Sequence, residues 1–225
     1  MTNTKLVFRT ILSVVVFFAV FALFIFLPAG TFNYRYGWVF FAVFCISTLF
    51  ITVYFLIKDP ALISRRVKSG ETRKEQQIFQ TISGFVFFVG LLLIPGLDYR
   101  YSWSNVPDII TFLANGFIFA GFIIVFFVFK TNSYTSATIE VSKGQKVIST
   151  GVYSIVRHPM YLGAVMIILF IPLALNSFWA LIPALFICVF VGLRLLDEEK
   201  VLLKELDGYK EYCDKTRWHL IPLIW

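Results

Sequence analysis

Charge is what this sequence has least of. Of 225 residues only 15% are Asp, Glu, Lys or Arg, where soluble domains carry about 25%. The deficit excludes a water-soluble globule, because too little polar surface exists to coat a particle of this size. Cysteine and histidine are few as well, at 3 and 2 residues. Cys45 and Cys188 lie inside apolar runs, Cys213 sits in a polar tail, and no CxxC or Cys/His cluster has zinc-ligand spacing. The absence of a Walker loop, of GxGxxG and of GxSxG removes nucleotide-binding soluble modules and serine hydrolases. No Asp, Glu, Lys or Arg interrupts the long apolar runs, which argues against a pump or an ion-coupled transporter.

What is present is grease. Hydrophobic residues make up 59% of the chain and aromatic ones 19%, with 27 Phe, and the mean hydropathy is +0.82. Apolar runs of about 20 residues match the hydrocarbon core of a bilayer. They cover Thr10 to Ala29, Gly37 to Ile57, Ile78 to Leu97 and Ile109 to Phe129, followed by two shorter ones, Pro159 to Leu175 and Ser177 to Leu193. The last two approach the lower limit of about 17 residues for a crossing. With a turn at Leu175-Asn176-Ser177 they read as a tight helical hairpin. Backbone groups in a bilayer must be satisfied internally. The fold expected is therefore all-α: a polytopic protein with six transmembrane helices, one membrane domain over residues 1–225, and a four-helix scaffold in 1–130. The first run is longer than a signal-peptide core and Leu27-Pro28-Ala29-Gly30 is a poor cleavage site, so it reads as an uncleaved span.

Orientation follows from the basic residues. With the N-terminus inside, every Lys and Arg except Arg35 and Arg100 falls in a cytoplasmic segment, as the positive-inside rule requires. Both termini are then cytoplasmic, in the inner membrane of a bacterium or the endoplasmic reticulum of a eukaryote. The net charge of +7 is explained without nucleic acid as a partner.

The cytoplasmic polar segments are where chemistry belongs. One runs TNSYTSATIEVSKGQKVISTGVYSIVRHPMYLG, Thr131 to Gly163. It places Tyr153, Arg157, His158, Pro159 and Tyr161 at the mouth of the fifth span, with Pro159 suited to the first helical turn and His158 at the cap. A helix N-terminus there favours an anion. Another closes the sixth span: Arg194 and Glu198 stand one helical turn apart, with Asp197 beside them and Glu199 next. Three adjacent acids do nothing for anchoring to an anionic leaflet, so a site using both a cation and an anion fits better. Asp59 to Arg66 reads as ordinary cytoplasmic charge, and His219, in Arg217-Trp218-His219-Leu220, as an interface residue.

On Gly151-Val152-Tyr153, Arg157-His158-Pro159-Met160-Tyr161-Leu162-Gly163, Arg194, Asp197-Glu198-Glu199 and Gly208-Tyr209-Lys210-Glu211-Tyr212, the sequence resembles the isoprenylcysteine carboxyl methyltransferases. More loosely it resembles the wider set of membrane methyltransferases that includes phospholipid methyltransferases. The likeness covers roughly Gln145 to Tyr212, and makes 131–225 the catalytic region. It implies a cytoplasm-facing pocket for S-adenosylmethionine and a lipophilic or prenylated acceptor entering from the bilayer, with membrane lipids as surroundings and no metal. Tyr153, His158, Pro159, Met160, Tyr161 and Glu198 match cofactor positions, and Arg194 matches a substrate arginine. Arg194 and Arg157 are the expected catalytic residues. Gln145, Lys146, Val147 and Ile148 align with a further cofactor segment, where Gln145 replaces a His; backbone contacts survive that change and an imidazole-specific role does not. Two other enzyme readings stay open, a phospholipid or amine N-methyltransferase with Glu199 as proton acceptor and an NADPH-dependent sterol-type reductase. So does a membrane protein without catalysis.

Overall fold

The computed structural model describes residues 3–68, 74–135, 141 and 144–225. Arg73 and Lys143, which entered the charge asymmetry, and Ser136 to Glu140 of the long polar segment lie outside the described residues. Among those described the chain is helical, without strands. In order come α1 (Asn3–Ala29), α2 (Arg35–Lys58), α3 (Pro60–Lys68), α4 (Lys74–Val86), a π-helical run (Phe87–Leu93), α5 (Ile94–Tyr101), α6 (Asp108–Thr131), a 3-10 turn (Gly151–Ser154), α7 (Pro159–Ala174), α8 (Leu181–Glu205) and α9 (Tyr209–Lys215).

Among the described residues four stretches are long and apolar enough to cross a membrane: Thr4–Ala29, Arg35–Lys58, Gln77–Tyr101 and Asp108–Thr131. They coincide with the first four apolar runs. The third departs from a uniform helix, because it widens to π geometry over Phe87–Leu93. A Cβ on Gly90 would stand 2.5 Å from Pro183 of α8, so glycine allows the two segments to touch where the helix bulges. The fifth run becomes α7, 16 residues long. The sixth is displaced, since α8 starts at Leu181 and the link occupies residues 175–180. Ser177 holds that link open: its Oγ donates to Asp98 at 2.5 Å and accepts from the Ala180 N–H at 3.3 Å.

Helix α5 continues past the end of the third apolar run to Tyr101 and Asp98 is fully buried, a position stabilised by the Ser104 N–H and hydroxyl at 2.7 and 2.5 Å as well as by Ser177. At the same end of the bundle the Asn176 amide donates to Val106 O at 2.7 Å, and the Tyr34 hydroxyl donates to Leu175 O.

Two apolar clusters hold the bundle, and a third, of Leu206, Tyr209 and Tyr212, lies at the C-terminal end among the described residues. One joins α1, α2, the π run, α6, α7 and α8 around the fully buried Phe21, whose ring stacks on Phe44 at 4.5 Å. The other holds α3 against α2 and α6 through Leu62, Ile63, Phe55 and Phe129, with Tyr153 and Met160 packed on its edge. Helices α6 and α7 meet backbone to backbone at Gly121 and Gly163, where a Cβ on either would lie 2.9 Å from the other's carbonyl oxygen. Small residues allow this approach, which sets the depth at which α7 begins.

Candidate functional site: a cavity at the start of α7 and the end of α8

Pro159 opens α7 and His158 caps it without a side-chain capping bond. The backbone donors before the helix are satisfied by the C-terminal tail: Arg157 N–H donates to Trp218 O at 2.8 Å and His158 N–H to His219 O at 3.0 Å. The His158 ring is buried, and the Tyr209 hydroxyl lies 3.4 Å from its Nε2. Burial, reinforced by the charges of Arg157 and His219, pushes its pKa down to about 3. His158 is therefore a neutral imidazole at physiological pH.

Opposite it, α8 supplies Glu198. The Tyr161 hydroxyl donates to Glu198 Oε2 at 2.5 Å, and Arg194, one turn earlier, hydrogen-bonds the same tyrosine. Burial raises the Glu198 pKa, while the Tyr161 hydrogen bond and the Arg194 charge pull it back. The Glu198 carboxyl group is thus desolvated and held in one orientation.

Glu199 belongs to a different cluster. Its Oε1 lies 3.1 Å from Arg157 Nη1, its Oε2 lies 2.9 Å from His219 Nε2, and the Cys213 thiol donates to it at 3.8 Å. Arg157 Nη2 also stands 2.5 Å from His219 Nε2. One ring nitrogen cannot donate to Glu199 and accept from Arg157 at once, so the position of the imidazole proton decides which contact is a hydrogen bond. The His219 ring stacks on Trp225 at 5.1 Å. His219, read from sequence as an interface residue, is therefore joined to the site.

These elements enclose a cavity of about 340 Å³, within the range of about 300–1,000 Å³ usual for small-molecule sites. The cofactor, substrate and catalytic residues expected from sequence all line it: Gln145, Lys146, Val147, Ile148, Tyr153, Arg157, His158, Pro159, Met160, Tyr161, Arg194 and Glu198. Glu199 does not line it. Tyr153 is fixed by an Asn132 amide donating to its hydroxyl at 3.1 Å and by Tyr212, whose hydroxyl donates to the Tyr153 carbonyl at 2.7 Å. Burial raises the Tyr153 phenol to about 12. Among the described residues no group of three His, Cys, Asp or Glu side chains is placed to hold a metal ion.

The sequence reading missed part of the wall. Arg66 of α3, Gln80 of α4, Asn132, Tyr134 and Thr135 after α6, and Tyr209 and Tyr212 of α9 also line the cavity. The signal for Arg66 was its spacing: it stands four residues after Leu62 and three after Ile63, both buried, so it shares their inward face. Its guanidinium lies 4.7 Å from the Phe129 ring centre.

A second cleft, of about 290 Å³, lies between α4 with the π run, α7 and α8. Phe79, Phe87, Ile168, Ile187, Phe190 and Val191 make it almost wholly apolar, and it shares Gln80 and Arg194 with the polar cavity. The two spaces meet at those side chains.

Residues 109–209 match the phospholipid methyltransferase family. The match runs from α6 to the start of α9 and contains every site residue read from sequence. The resemblance to membrane methyltransferases is borne out at that level. Among curated proteins, the Delta(14)-sterol reductase of Mus musculus is 29% identical over 94 residues, 39% of this chain and 22% of that protein. The chain therefore spans less than a quarter of the length of this relative.

Proposed function

We propose that the protein is an integral membrane methyltransferase that uses S-adenosylmethionine to esterify the carboxylate of a lipophilic, isoprenylcysteine-like acceptor. The observation that carries this reading is the junction at Arg194. A polar cavity sized for a small molecule and an apolar cleft share one arginine, which is the arrangement an amphiphile needs to present its anionic head to a polar reactant while its tail stays in apolar surroundings.

The lining suits the methyl donor. Glu198, oriented by Tyr161, is the acid for an ammonium group; Tyr153, Tyr209 and Tyr212 supply faces for an adenine ring; Val147, Ile148 and Met160 supply apolar contact. S-adenosylmethionine provides an electrophilic methyl group on a sulfonium. The acceptor carboxylate is ionised at neutral pH, so no general base is required. The chain's part is to align and to exclude water. Arg194 holds the carboxylate through a bidentate contact, and neutral His158 adds no competing positive charge beside a sulfonium. Arg157, neutralised by Glu199, braces the loop that carries Tyr153. In this reading the site and both termini face the cytoplasm and six helices cross the bilayer.

The family match favours a second acceptor class, a phospholipid or other amine. Such a nucleophile must lose a proton, and Glu199 is engaged by Arg157 and His219 outside the cavity, which leaves Glu198 for that duty. The likeness to a sterol reductase favours NADPH as ligand. Titration calorimetry on detergent-solubilised protein separates the donors: S-adenosylhomocysteine is expected to bind and NADPH not to, and binding of NADPH alone would overturn the proposal.

A further inference from the structure

Glycine inside a helix costs about 1 kcal/mol relative to alanine, so a helical glycine calls for a reason. At Gly37, Gly90, Gly96, Gly121 and Gly163 the reason is contact, since a Cβ would stand under 3.0 Å from a neighbouring atom. Gly84 in α4 has no such contact: nothing lies within 4 Å of where its Cβ would be. Its backbone is ordinary helix, without a positive φ. Gly116 and Gly192 share that open surrounding but line neither cavity. Gly84 lines the apolar cleft. The space a side chain would fill at Gly84 is therefore cleft volume, bounded by Phe79, Phe87 and Phe190.

We infer that Gly84 is the specificity-determining position of the apolar cleft, its missing side chain making room for the hydrocarbon part of the acceptor. The occupant is the branched or long chain of the amphiphile whose head reaches Arg194. Continuity supports that choice, because the cleft adjoins the polar cavity at Arg194 and Gln80 and its remaining lining is apolar apart from Ser83. The inference rests on the acceptor reading above. It reaches outside residues 109–209, the part that matches the methyltransferase family, and gives the N-terminal half a role in choosing the substrate. Substitution at Gly84 raises helix propensity and meets no packed neighbour, so the fold tolerates it. The side chain instead shortens or narrows the accepted chain, in proportion to its size.

The test uses the full chain in nanodiscs and a Gly84→Ala, Gly84→Leu and Gly84→Phe series. A diazirine-bearing farnesyl thioether of N-acetylcysteine is photolysed with each protein, and labelled peptides are located by mass spectrometry. Wild type is expected to be labelled on Phe79 to Phe87 and Ile187 to Val191, with labelling falling by about tenfold or more in Gly84→Phe, as steric discrimination in apolar pockets allows, and by less in Gly84→Ala. A geranyl or straight decyl probe is expected to lose less than the farnesyl one. Equal labelling by the three probes across the series, or labelling of wild type away from the cleft, overturns the inference. S-adenosylhomocysteine affinity, measured in parallel, is expected to stay within about twofold. Cleft labelling that responds to Gly84 while no methyl group is transferred to any probe leaves the specificity role standing and overturns the methyltransferase reading instead.

Discussion

At the scale of single residues, the site is a set of buried and half-buried polar groups whose protonation is shifted by their surroundings. His158 illustrates the energetics. Its pKa falls from 6.5 to about 3 on folding, chiefly by burial, so below pH 6.5 the unfolded chain takes up a proton that the folded chain refuses until about pH 3. Stability is therefore fully present above about pH 6.5 and falls as pH drops through that window, by up to about 1.4 kcal/mol per pH unit. Melting curves in detergent between pH 7 and 4 are expected to show this decline in wild type and a shallower one in His158→Gln. Glu198 has the opposite shift: burial raises its pKa, and the Tyr161 hydrogen bond opposes the rise. Tyr161→Phe removes that opposition, so the carboxylate protonates at a higher pH. Affinity for S-adenosylhomocysteine is expected to drop roughly tenfold, as loss of a charge-assisted hydrogen bond implies, and its acid limb to move upward. An unchanged pH profile would show that Glu198 does not meet the ligand's ammonium. Both residues were visible in sequence because scarce polar types stood at helix ends. Glu199 was visible too, but its direction was not. Adjacent residues on a helix point about 100° apart, and only the fold shows that Glu198 turns to the cavity and Glu199 to Arg157.

At the scale of elements, α7 is placed by two different devices. Its apolar body is set by the Gly121 and Gly163 crossing, and its start by the tail that receives the Arg157 and His158 N–H bonds. Gly163→Ala is expected to destabilise the protein by about 1–3 kcal/mol through overpacking. Because Tyr161 rides on the same helix, ligand affinity should fall as well. A variant that melts like wild type would mean that α6 and α7 do not touch there. Deleting residues 217–225 removes the tail's carbonyl acceptors and His219 together. It is expected to expose the 144–157 segment to limited proteolysis and to weaken ligand binding, with the apolar helices intact by circular dichroism. The four long apolar helices and the start of α7 could be read from the apolar runs and from Pro159. The displaced start of α8 could not, since it depends on Ser177 reaching Asp98, a contact 79 residues apart in sequence. The π bulge was equally hidden, because it arises where Gly90 meets Pro183 and no local pattern records that meeting.

At the scale of the whole molecule, the apolar helices form the scaffold and the two halves of the chain meet at the cavity. Arg66 and Gln80 come from the N-terminal half and Glu198 and Tyr209 from the C-terminal half, so the cavity closes only when the two halves are assembled. A topology reporter at the C-terminus is expected to read cytoplasmic, as the basic residues require; a signal from the opposite side would invert the access route to the site. The central claim concerns what passes between the two spaces that meet at Arg194. It is tested most directly by incubating the reconstituted protein with S-adenosylmethionine tritiated on the methyl group and a farnesylcysteine acceptor, then treating the product with base. Release of volatile tritiated methanol, abolished in Arg194→Ala while S-adenosylhomocysteine still binds, is the expected result. Base-stable label, or no transfer from protein that binds the donor, would contradict a carboxyl methyltransferase.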